Sequence, residues 1–234
     1  MTDVVIRELH ELTEMDQLRR TAGEVWGGTA SDMVSSDFLM ALAHVGGYVA
    51  GSFLDEHMVG CSFGMLARHG GAWCLHSHIT GVVPALQNSG LGARLKMHQH
   101  AWARAHGLVA ITWTFDPLVR RNGWFNLRRL GARAVEYHVD FYGALNDDIN
   151  GSEETDRLMA WWDVEATDPT PTNDDDPITV PTPDDIVGLR RSNPAAAREW
   201  RLAMRDRLAP LMDTHEVTGM NDNGEYVLRG RTTR

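Results

Sequence analysis

Two strand patterns joined by a glycine turn and an amphipathic helix occupy residues 72–115, and this succession constrains the fold more than any other part of the chain. The first strand pattern, residues 72–83, runs into a proline and then into two spaced glycines. Steps of four and three between residues 91 and 105 place one stripe along a helix. Residues 109–115 form a continuous apolar run, which is typical of a strand buried on both faces. The segment therefore predicts a parallel β–α–β crossover at the centre of a sheet.

Shorter patterns on both sides of the crossover complete the predicted sheet. Residues 48–83 show three strand patterns separated by two short turns, which predicts an antiparallel meander. One strand pattern and two helical patterns precede the meander, and one helix and two strands follow the crossover. Their ranges are 4–9 (strand), 13–26 and 38–45 (helices), 118–130 (helix), and 132–142 and 157–164 (strands). This order predicts an α/β fold built on a mixed (α+β) sheet.

The composition changes at residue 165. The twenty residues that follow hold five prolines and six aspartates, which is typical of a linker or an extended surface strap. An arginine-rich helix and a terminal hairpin are predicted after it, over residues 195–212 and around a turn at 221–224. We therefore expect a domain over residues 1–164, an acidic, proline-rich linker over 165–185, and a C-terminal helix-and-hairpin extension over 186–234.

Charge and composition limit the classes of function. The 234 residues carry a formal net charge of −10, whereas a nucleic-acid binder needs clustered Lys and Arg, so no nucleic-acid partner is expected. The amino-terminal residues show no signal-peptide pattern, and no apolar run reaches the ~20 residues of a membrane span. Two cysteines are too few for a metal cage or a disulfide framework. We expect a cytoplasmic protein with neither a metal nor a membrane partner, and a homodimer stays open.

The two glycines of the turn, Gly90 and Gly92, have the properties of a phosphate cradle. Such a cradle needs backbone N–H groups aimed at one point at a helix N-terminus, without Cβ atoms in the way. A dinucleotide fingerprint would need a third glycine where Leu95 stands, and a Walker loop would need a Gly-Lys-Ser/Thr that is absent here. A phosphate site and a simple turn are the two interpretations that remain.

The sequence around these glycines resembles the acetyl-CoA motif of the GNAT N-acetyltransferases. That motif reads Gln/Arg-x-x-Gly-x-Gly/Ala after a strand that ends in Val-x-Pro, and residues 79–84 (ITGVVP) and 87–92 (QNSGLG) match every specified position. The predicted order of elements in the first domain is similar to that of the family. Residues 114–118 (TFDPL), then Asn122 and 125–127 (FNL), together with the extension, resemble a bacterial subgroup of predicted acetyltransferases without a settled substrate.

The resemblance implies a GNAT acyl-CoA N-acyltransferase fold, with acetyl-CoA as cosubstrate and no metal. It implies an enzyme that moves an acetyl group to an amine of a small molecule. Backbone amides of residues 88–93 would hold the CoA pyrophosphate, the strand end at 80–82 would pair with the pantetheine arm, and Asn122 would hydrogen-bond that arm. The residues implied in binding are Thr80, Val82, Gln87, Asn88, Ser89, Gly90, Leu91, Gly92, Ala93 and Asn122.

Four residues are candidates for the chemistry of transfer: His76, His78, Asp116 and Asn126. The two histidines lie two apart on a strand, so they are expected to share one face, and histidine suits base catalysis near neutral pH. Asp116 follows a central strand at the end where α/β sheets bind ligands. A structural role is the alternative for each. The histidines would then be strand residues whose hydrogen bonds are satisfied, and Asp116 would form the turn before Pro117.

This sequence departs from the family at the position of the usual general acid. Family members usually have a tyrosine near the end of the helix before Leu-Gly, and it protonates the leaving thiolate. Residues 125–128 read FNLR here, and Tyr137 and Tyr142 on the next strand are the substitutes. Direct attack in a ternary complex is expected, because Cys61 and Cys74 have no evident activating partner. The alternative is a non-catalytic acyl-CoA-binding or sensing protein of the same fold.

Two further patterns have simpler explanations. Residues 60–64 (GCSFG) match the Gly-x-Ser-x-Gly of a nucleophile elbow, but that motif needs a strand–turn–helix and lies here inside a continuing strand pattern. The arginines of the C-terminal extension could meet an anionic substrate or the CoA 3′-phosphate, although solvated helix faces and salt bridges to the acidic linker explain them more simply. They are Arg190, Arg191, Arg198, Arg201, Arg205 and Arg207.

Overall fold

Five strands form the sheet of the first half of the chain, in the order β1-β2-β3-β4-β5. They are β1 (Val5–Glu8), β2 (Tyr48–Leu54), β3 (His57–His69), β4 (Ala72–Val82) and β5 (Ala110–Phe115). The first four pair antiparallel, whereas β5 runs parallel to β4, with Leu75 opposite Ile111 and His76 opposite Thr112. The predicted meander, the parallel crossover and the mixed sheet are therefore confirmed.

The chain divides into two units within β5. A computed structural model describes residues 4–27, 34–143, 154–165 and 177–231, and its two units are Met1–Thr112 and Trp113–Arg234. Residues 166–176 of the predicted linker lie outside the described residues. Over the part of the chain that is described, no helix is long and apolar enough to cross a membrane.

Three helices cover the two faces of the first sheet: α1 (Leu12–Trp26), α2 (Ser36–His44) and α3 (Leu91–Ala105). Neighbouring residues of a strand point to opposite faces. Phe63 of β3 packs in one apolar cluster with α1 and α2, while the adjacent Ser62 accepts a hydrogen bond from Gln99 of α3. The helix of the crossover therefore lies on one face and the first two helices lie on the other.

The second unit contains an antiparallel sheet in the order β7-β6-β9-β10-β8. Its strands are β6 (Arg133–His138), β7 (Arg157–Asp163), β8 (Ile178–Pro181), β9 (His215–Met220) and β10 (Glu225–Gly230). Its helices are α4 (Arg120–Gly123), which continues as a π-helical turn (Trp124–Arg129), α5 (Ile186–Ser192) and α6 (Pro194–Leu208). β9 and β10 form the predicted terminal hairpin, and Gly224 in its turn has φ 76°.

Local hydrogen bonds shift the ends of several predicted elements. The helix predicted from residue 118 starts at Arg120, because Asp116 holds residues 116–119 in a turn through its carboxylate and its carbonyl. The strand predicted over 132–142 ends at His138, where Asp140 adopts a left-handed conformation with φ 47°. At the first place the Asp116 side chain satisfies the backbone of its own turn. At the second, the Asp156 carboxylate accepts from Asp140 N.

The carboxyl-terminal region contains more regular structure than its composition predicts. Residues 178–181, inside the range predicted as a linker, form β8 and pair with β10. α5 was not predicted, and Asp185 caps it by accepting from Gly188 N. The helix predicted over 195–212 ends earlier, and a 3₁₀ turn follows from Pro210, whose nitrogen has no proton to donate.

Candidate functional site

The glycine turn connects β4 to α3 through a tightly bonded loop. A 3₁₀ turn (Pro84–Leu86) follows the strand, and two loop residues then adopt left-handed backbone conformations, Asn88 with φ 63° and Gly90 with φ 87°. The Ser89 hydroxyl donates to the carbonyl at the end of the 3₁₀ turn (2.6 Å) and accepts from Leu91 N (3.4 Å). The φ of Gly90 favours glycine, so this loop shape depends on the residue.

The N-terminus of α3 opens into free space. Gly90 occupies the N-cap position and has no side chain that could cap the helix. Of the described residues, none accepts from the N–H of Gly92 or of Ala93. A Cβ added at Gly90 would meet no atom within 4 Å, and one added at Gly92 would meet only Val82 Cγ2, at 4.0 Å. Backbone donors and the helix dipole thus point at a space suited to an anion.

β4 extends beyond its ladder with β5. The last pair joins His76 to Thr112, and β4 continues over residues 77–82. The register with β3 shifts at the same place, because Gly64 lies opposite Ser77 and Phe63 lies opposite Ile79. The residue between them, His78, is therefore the extra residue of a β-bulge, which bends a strand away from its course. In the described part of the first unit, no strand pairs with residues 77–82 on the side away from β3.

Three side chains implied in acetyl-CoA binding instead support the loop and the strand. Thr80 Oγ1 lies 2.8 Å from the Ser62 hydroxyl, and Val82 packs with Leu91. Gln87 Nε2 reaches back to the Val82 carbonyl at 3.4 Å. Their backbone groups, not their side chains, are the parts of these residues that can meet a ligand.

His76 and His78 lie close to each other, but the bulge interrupts the simple alternation that their spacing predicts. His76 Nδ1 lies 3.1 Å from Thr112 Oγ1, and burial, together with the charges of His78 and Lys96, lowers the pKa of His76. His78 is exposed, and its ring centre lies 5.3 Å from that of Phe63. Both histidines stay available as bases, and His78 is the more accessible.

Asp116, in the second unit, is the centre of a buried ion cluster. Its carboxylate accepts two hydrogen bonds from Arg201, each at 3.0 Å, and one from Arg190 at 2.5 Å. The carboxylate also accepts from Leu118 N at 2.9 Å. Burial alone would raise the pKa of Asp116, but the two guanidinium groups outweigh it and hold the pKa at about 2. Such a group is a poor proton acceptor at neutral pH, and this geometry favours a structural role.

The other candidate residues of the second unit differ in burial and in their hydrogen bonds. Asn126 is buried in the π-helical turn, where its carbonyl accepts from Ala132 N, and Asn122 is half-buried in α4. The Tyr137 hydroxyl donates to Asp156 at 2.7 Å, and burial with this bond raises the pKa of the tyrosine. Tyr142 is 41% exposed, and its hydroxyl lies 3.1 Å from Thr114 Oγ1.

The C-terminal arginines do not all lie on solvated helix faces. Arg201 is 2% exposed, and the side chain of Arg190 is nearly as deeply buried, because both bind Asp116. Arg205 binds Asp156 and Glu154, while Arg191, Arg198 and Arg207 are exposed as expected. Composition could not separate these groups, because the ion pairs join residues far apart in the sequence.

Sequence reasoning also missed a polar group in the first unit. Lys96 and Gln99 of α3 are buried and hydrogen-bonded to each other, and they meet Ser62 and Ser77 of the sheet. Their positions beside Leu95 on the inner side of the helix were the available signal, since residues three apart share a helix face. Ser62 itself lies inside β3, as its continuing strand pattern predicts, and not at a strand–turn–helix junction.

Comparison with known proteins identifies solved structures of similar fold. No protein-family model matches the sequence, and no curated protein matches it significantly. A protein of the GNAT acetyltransferase family from Desulfovibrio desulfuricans is 17% identical, covers 70% of this chain and 100% of its own, and has a TM-score of 0.55. An aminoglycoside 6′-acetyltransferase of type Ii is 14% identical, with coverages of 70% and 99% and a TM-score of 0.55.

A third match is the ribosomal-protein-S18-alanine N-acetyltransferase from Escherichia coli. It is 12% identical, covers 72% of this chain and 99% of its own, and has a TM-score of 0.55. At such identities the likeness shows the fold alone. The three structures therefore agree with the mixed α/β architecture described above.

Proposed function

We propose that this chain, which has the GNAT acetyltransferase fold, transfers an acetyl group from acetyl-CoA to an amine of a small molecule. The observation that carries the proposal is the loop before α3. Its left-handed Gly90, the open N–H groups of Gly92 and Ala93, and the dipole of a 15-residue helix suit the two negative charges of a pyrophosphate.

The free edge of β4 supports binding of the remainder of the cosubstrate. Residues 77–82 present backbone N–H and C=O groups that no strand of the first unit uses among the residues described. The pantetheine arm is an extended chain with two amides, and it can pair with such an edge as an added strand does. Thr80 and Val82 act in this proposal through their backbones.

The proposed chemistry is direct attack of the amine on the thioester. A C–N bond forms, the C–S bond breaks, and the proton lost by the amine finally resides on the thiolate of CoA. His78 or His76 would take that proton, and the lowered pKa of His76 keeps its imidazole neutral, and able to accept, at pH 7.

The two cysteines support direct attack over an acyl-cysteine route. Cys61 and Cys74 are both buried. Burial raises the pKa of Cys61 to about 12 and raises that of Cys74 as well, so neither forms a thiolate readily at neutral pH. A buried, protonated thiol is a weak nucleophile.

Acetyl-CoA binding by calorimetry tests the loop directly. Gly90→Val strains a left-handed backbone in the loop, and Gly92→Leu places a side chain in the open space that the pyrophosphate would occupy. Both should weaken binding at least tenfold. Gly107→Val is the matched control, because Gly107 lies two residues after the end of α3 with φ 66° and also has no atom within 4 Å of an added Cβ. Undiminished binding in both loop variants would contradict the cradle.

A non-catalytic acyl-CoA-binding or sensing protein is the second candidate. The observation in its favour is that two candidate catalytic groups are occupied, Asp116 by two arginines and the Tyr137 hydroxyl by Asp156. Both functions predict acetyl-CoA binding. They differ in whether free CoA thiol is released when a panel of amines is supplied, and sustained release identifies the enzyme.

A further inference from the structure

A closed ring of polar side chains lies between α3 and the sheet of the first unit. Lys96 Nζ donates to Ser77 Oγ at 2.9 Å and to Gln99 Oε1 at 3.1 Å. Gln99 Nε2 donates to Ser62 Oγ at 3.3 Å, and Ser62 Oγ lies 2.8 Å from Thr80 Oγ1. Thr80 Oγ1 and Ser77 Oγ, 3.5 Å apart, complete the ring. The proposed function uses its lysine only through the charge that helps to lower the pKa of His76.

The burial of this lysine is costly for a residue with only a packing role. Lys96 is 5% exposed, on a helix whose other buried residues include Leu91, Leu95 and Ala103 as well as the polar Gln99. Lysine is among the residues least often fully buried, since a charged amine loses its hydration there. Burial lowers the pKa of Lys96 to about 7, so the amine loses much of its preference for the charged form. An apolar residue at this position would pack the same helix without that cost.

The ring joins the two ends of the β-bulge in β4. Ser77 precedes the extra residue His78, and Thr80 follows the bulge after Ile79. The hydroxyls of Ser77 and Thr80 point to the same side, where Lys96 and Ser62 hold them. The ring therefore fixes the backbone of residues 77–80, which is the part of β4 that has left the β5 ladder.

We propose that Lys96 is a positioning residue for acetyl transfer. Through Ser77 it holds the bulged backbone of residues 77–80 in the conformation that aligns the thioester of acetyl-CoA for attack. The inference rests on the proposed function, because that function pairs the pantetheine arm of acetyl-CoA with β4. In the part of the chain that the structure describes, Ser89 bonds the loop before α3 to Leu86 and Leu91, whereas Lys96 bonds to Ser77 and Gln99. The lysine should therefore affect the reaction more than the binding.

The test compares Lys96→Met and Ser77→Ala with wild type in steady-state kinetics with acetyl-CoA and a reactive amine. Both variants should lower kcat at least tenfold and leave the KM for acetyl-CoA within threefold. The double variant should be no slower than the slower single variant, because the two residues act through one hydrogen bond. Arg104→Met is the control, since it removes a cation from an exposed position of the same helix and should leave kcat unchanged.

The unfolding midpoint and calorimetric acetyl-CoA affinity of each variant separate the outcomes. Normal kcat in folded Lys96→Met and Ser77→Ala overturns the inference and leaves the proposed function intact. A kcat that falls only in proportion to the unfolded fraction also overturns it, and Ser77→Ala decides the case if Lys96→Met does not fold. Wild-type protein that binds no acetyl-CoA, or releases no CoA with any amine, contradicts the proposed function itself and the inference with it.

Discussion

Replacement of Asp116 by Asn distinguishes a structural carboxylate from a catalytic one. Asn has nearly the same shape and keeps an oxygen that can accept from Leu118 N. Its NH2 group replaces the oxygen that accepts from both arginines, so the change removes the negative charge and those two hydrogen bonds. The guanidinium groups of Arg201 and Arg190 would remain buried around a neutral group. A structural role predicts a large loss of stability, whereas a catalytic role predicts a loss of kcat in a protein of normal stability.

Two estimates give the expected size of the loss. Removing one partner of a buried ion pair typically costs about 3–5 kcal/mol. The pKa of Asp116 falls from its ordinary value of 3.8 to about 2 in the folded protein. Because one pKa unit corresponds to 1.36 kcal/mol, this fall contributes about 2 kcal/mol at neutral pH. We therefore expect Asp116→Asn to reduce the free energy of unfolding by about 2–5 kcal/mol at pH 7.

The pH dependence gives an independent check of the sign. A carboxylate whose folded-state pKa is lowered stabilises the protein fully above its unfolded pKa of 3.8. This contribution is lost as the pH falls from 3.8 through about 2, because the folded state must then take up the proton. The difference in stability between wild type and Asp116→Asn should therefore be constant from pH 7 to 5 and shrink below pH 4.

Urea unfolding, followed by tryptophan fluorescence at each pH, measures the loss of unfolding free energy and its dependence on pH. Asp184→Asn is the matched control, because Asp184 also pairs with an arginine, Arg120, but its side chain is 91% exposed. Exposed ion pairs contribute about 0–1 kcal/mol, so the control should change little. A loss below about 1 kcal/mol for Asp116→Asn, together with a large fall in kcat, would refute the structural role.

Two further predictions follow from the packing of the first unit. Gly64→Ala places a Cβ 2.7 Å from the His76 carbonyl oxygen, so urea unfolding should show a fall of about 1–3 kcal/mol in the free energy of unfolding. Gly219→Ala is the control, because no atom lies within 4 Å of its added Cβ, and a fall of about 0.5 kcal/mol or less is expected. An equal loss in both variants would contradict the close approach of the strands. Cys61 and Cys74 should resist a thiol reagent in the folded protein and react in urea, and fast labelling of either before unfolding would contradict their burial.

Local patterns predicted the elements whose residues are neighbours in sequence. The loop at Gly90 and the helix after it follow from glycine's access to left-handed conformations and from helical spacing over 91–105. The three strand patterns over residues 48–83 and the two short turns between them predicted the meander. Composition was a weaker guide near residue 178, where a strand formed within a proline- and aspartate-rich stretch because β10 supplies its hydrogen bonds.

The sequence by itself determined the crossover, its glycine loop and the resemblance that points to acyl-CoA, because each depends on residues within a few positions of one another. Only the tertiary structure decided which polar groups are free to act. Asp116 meets its arginines across 74 and 85 residues, and Lys96 meets Ser77 across 19, so no local pattern contains these bonds. A side chain's charge state and availability depend on the atoms that surround it after folding, and those atoms come from distant parts of the chain.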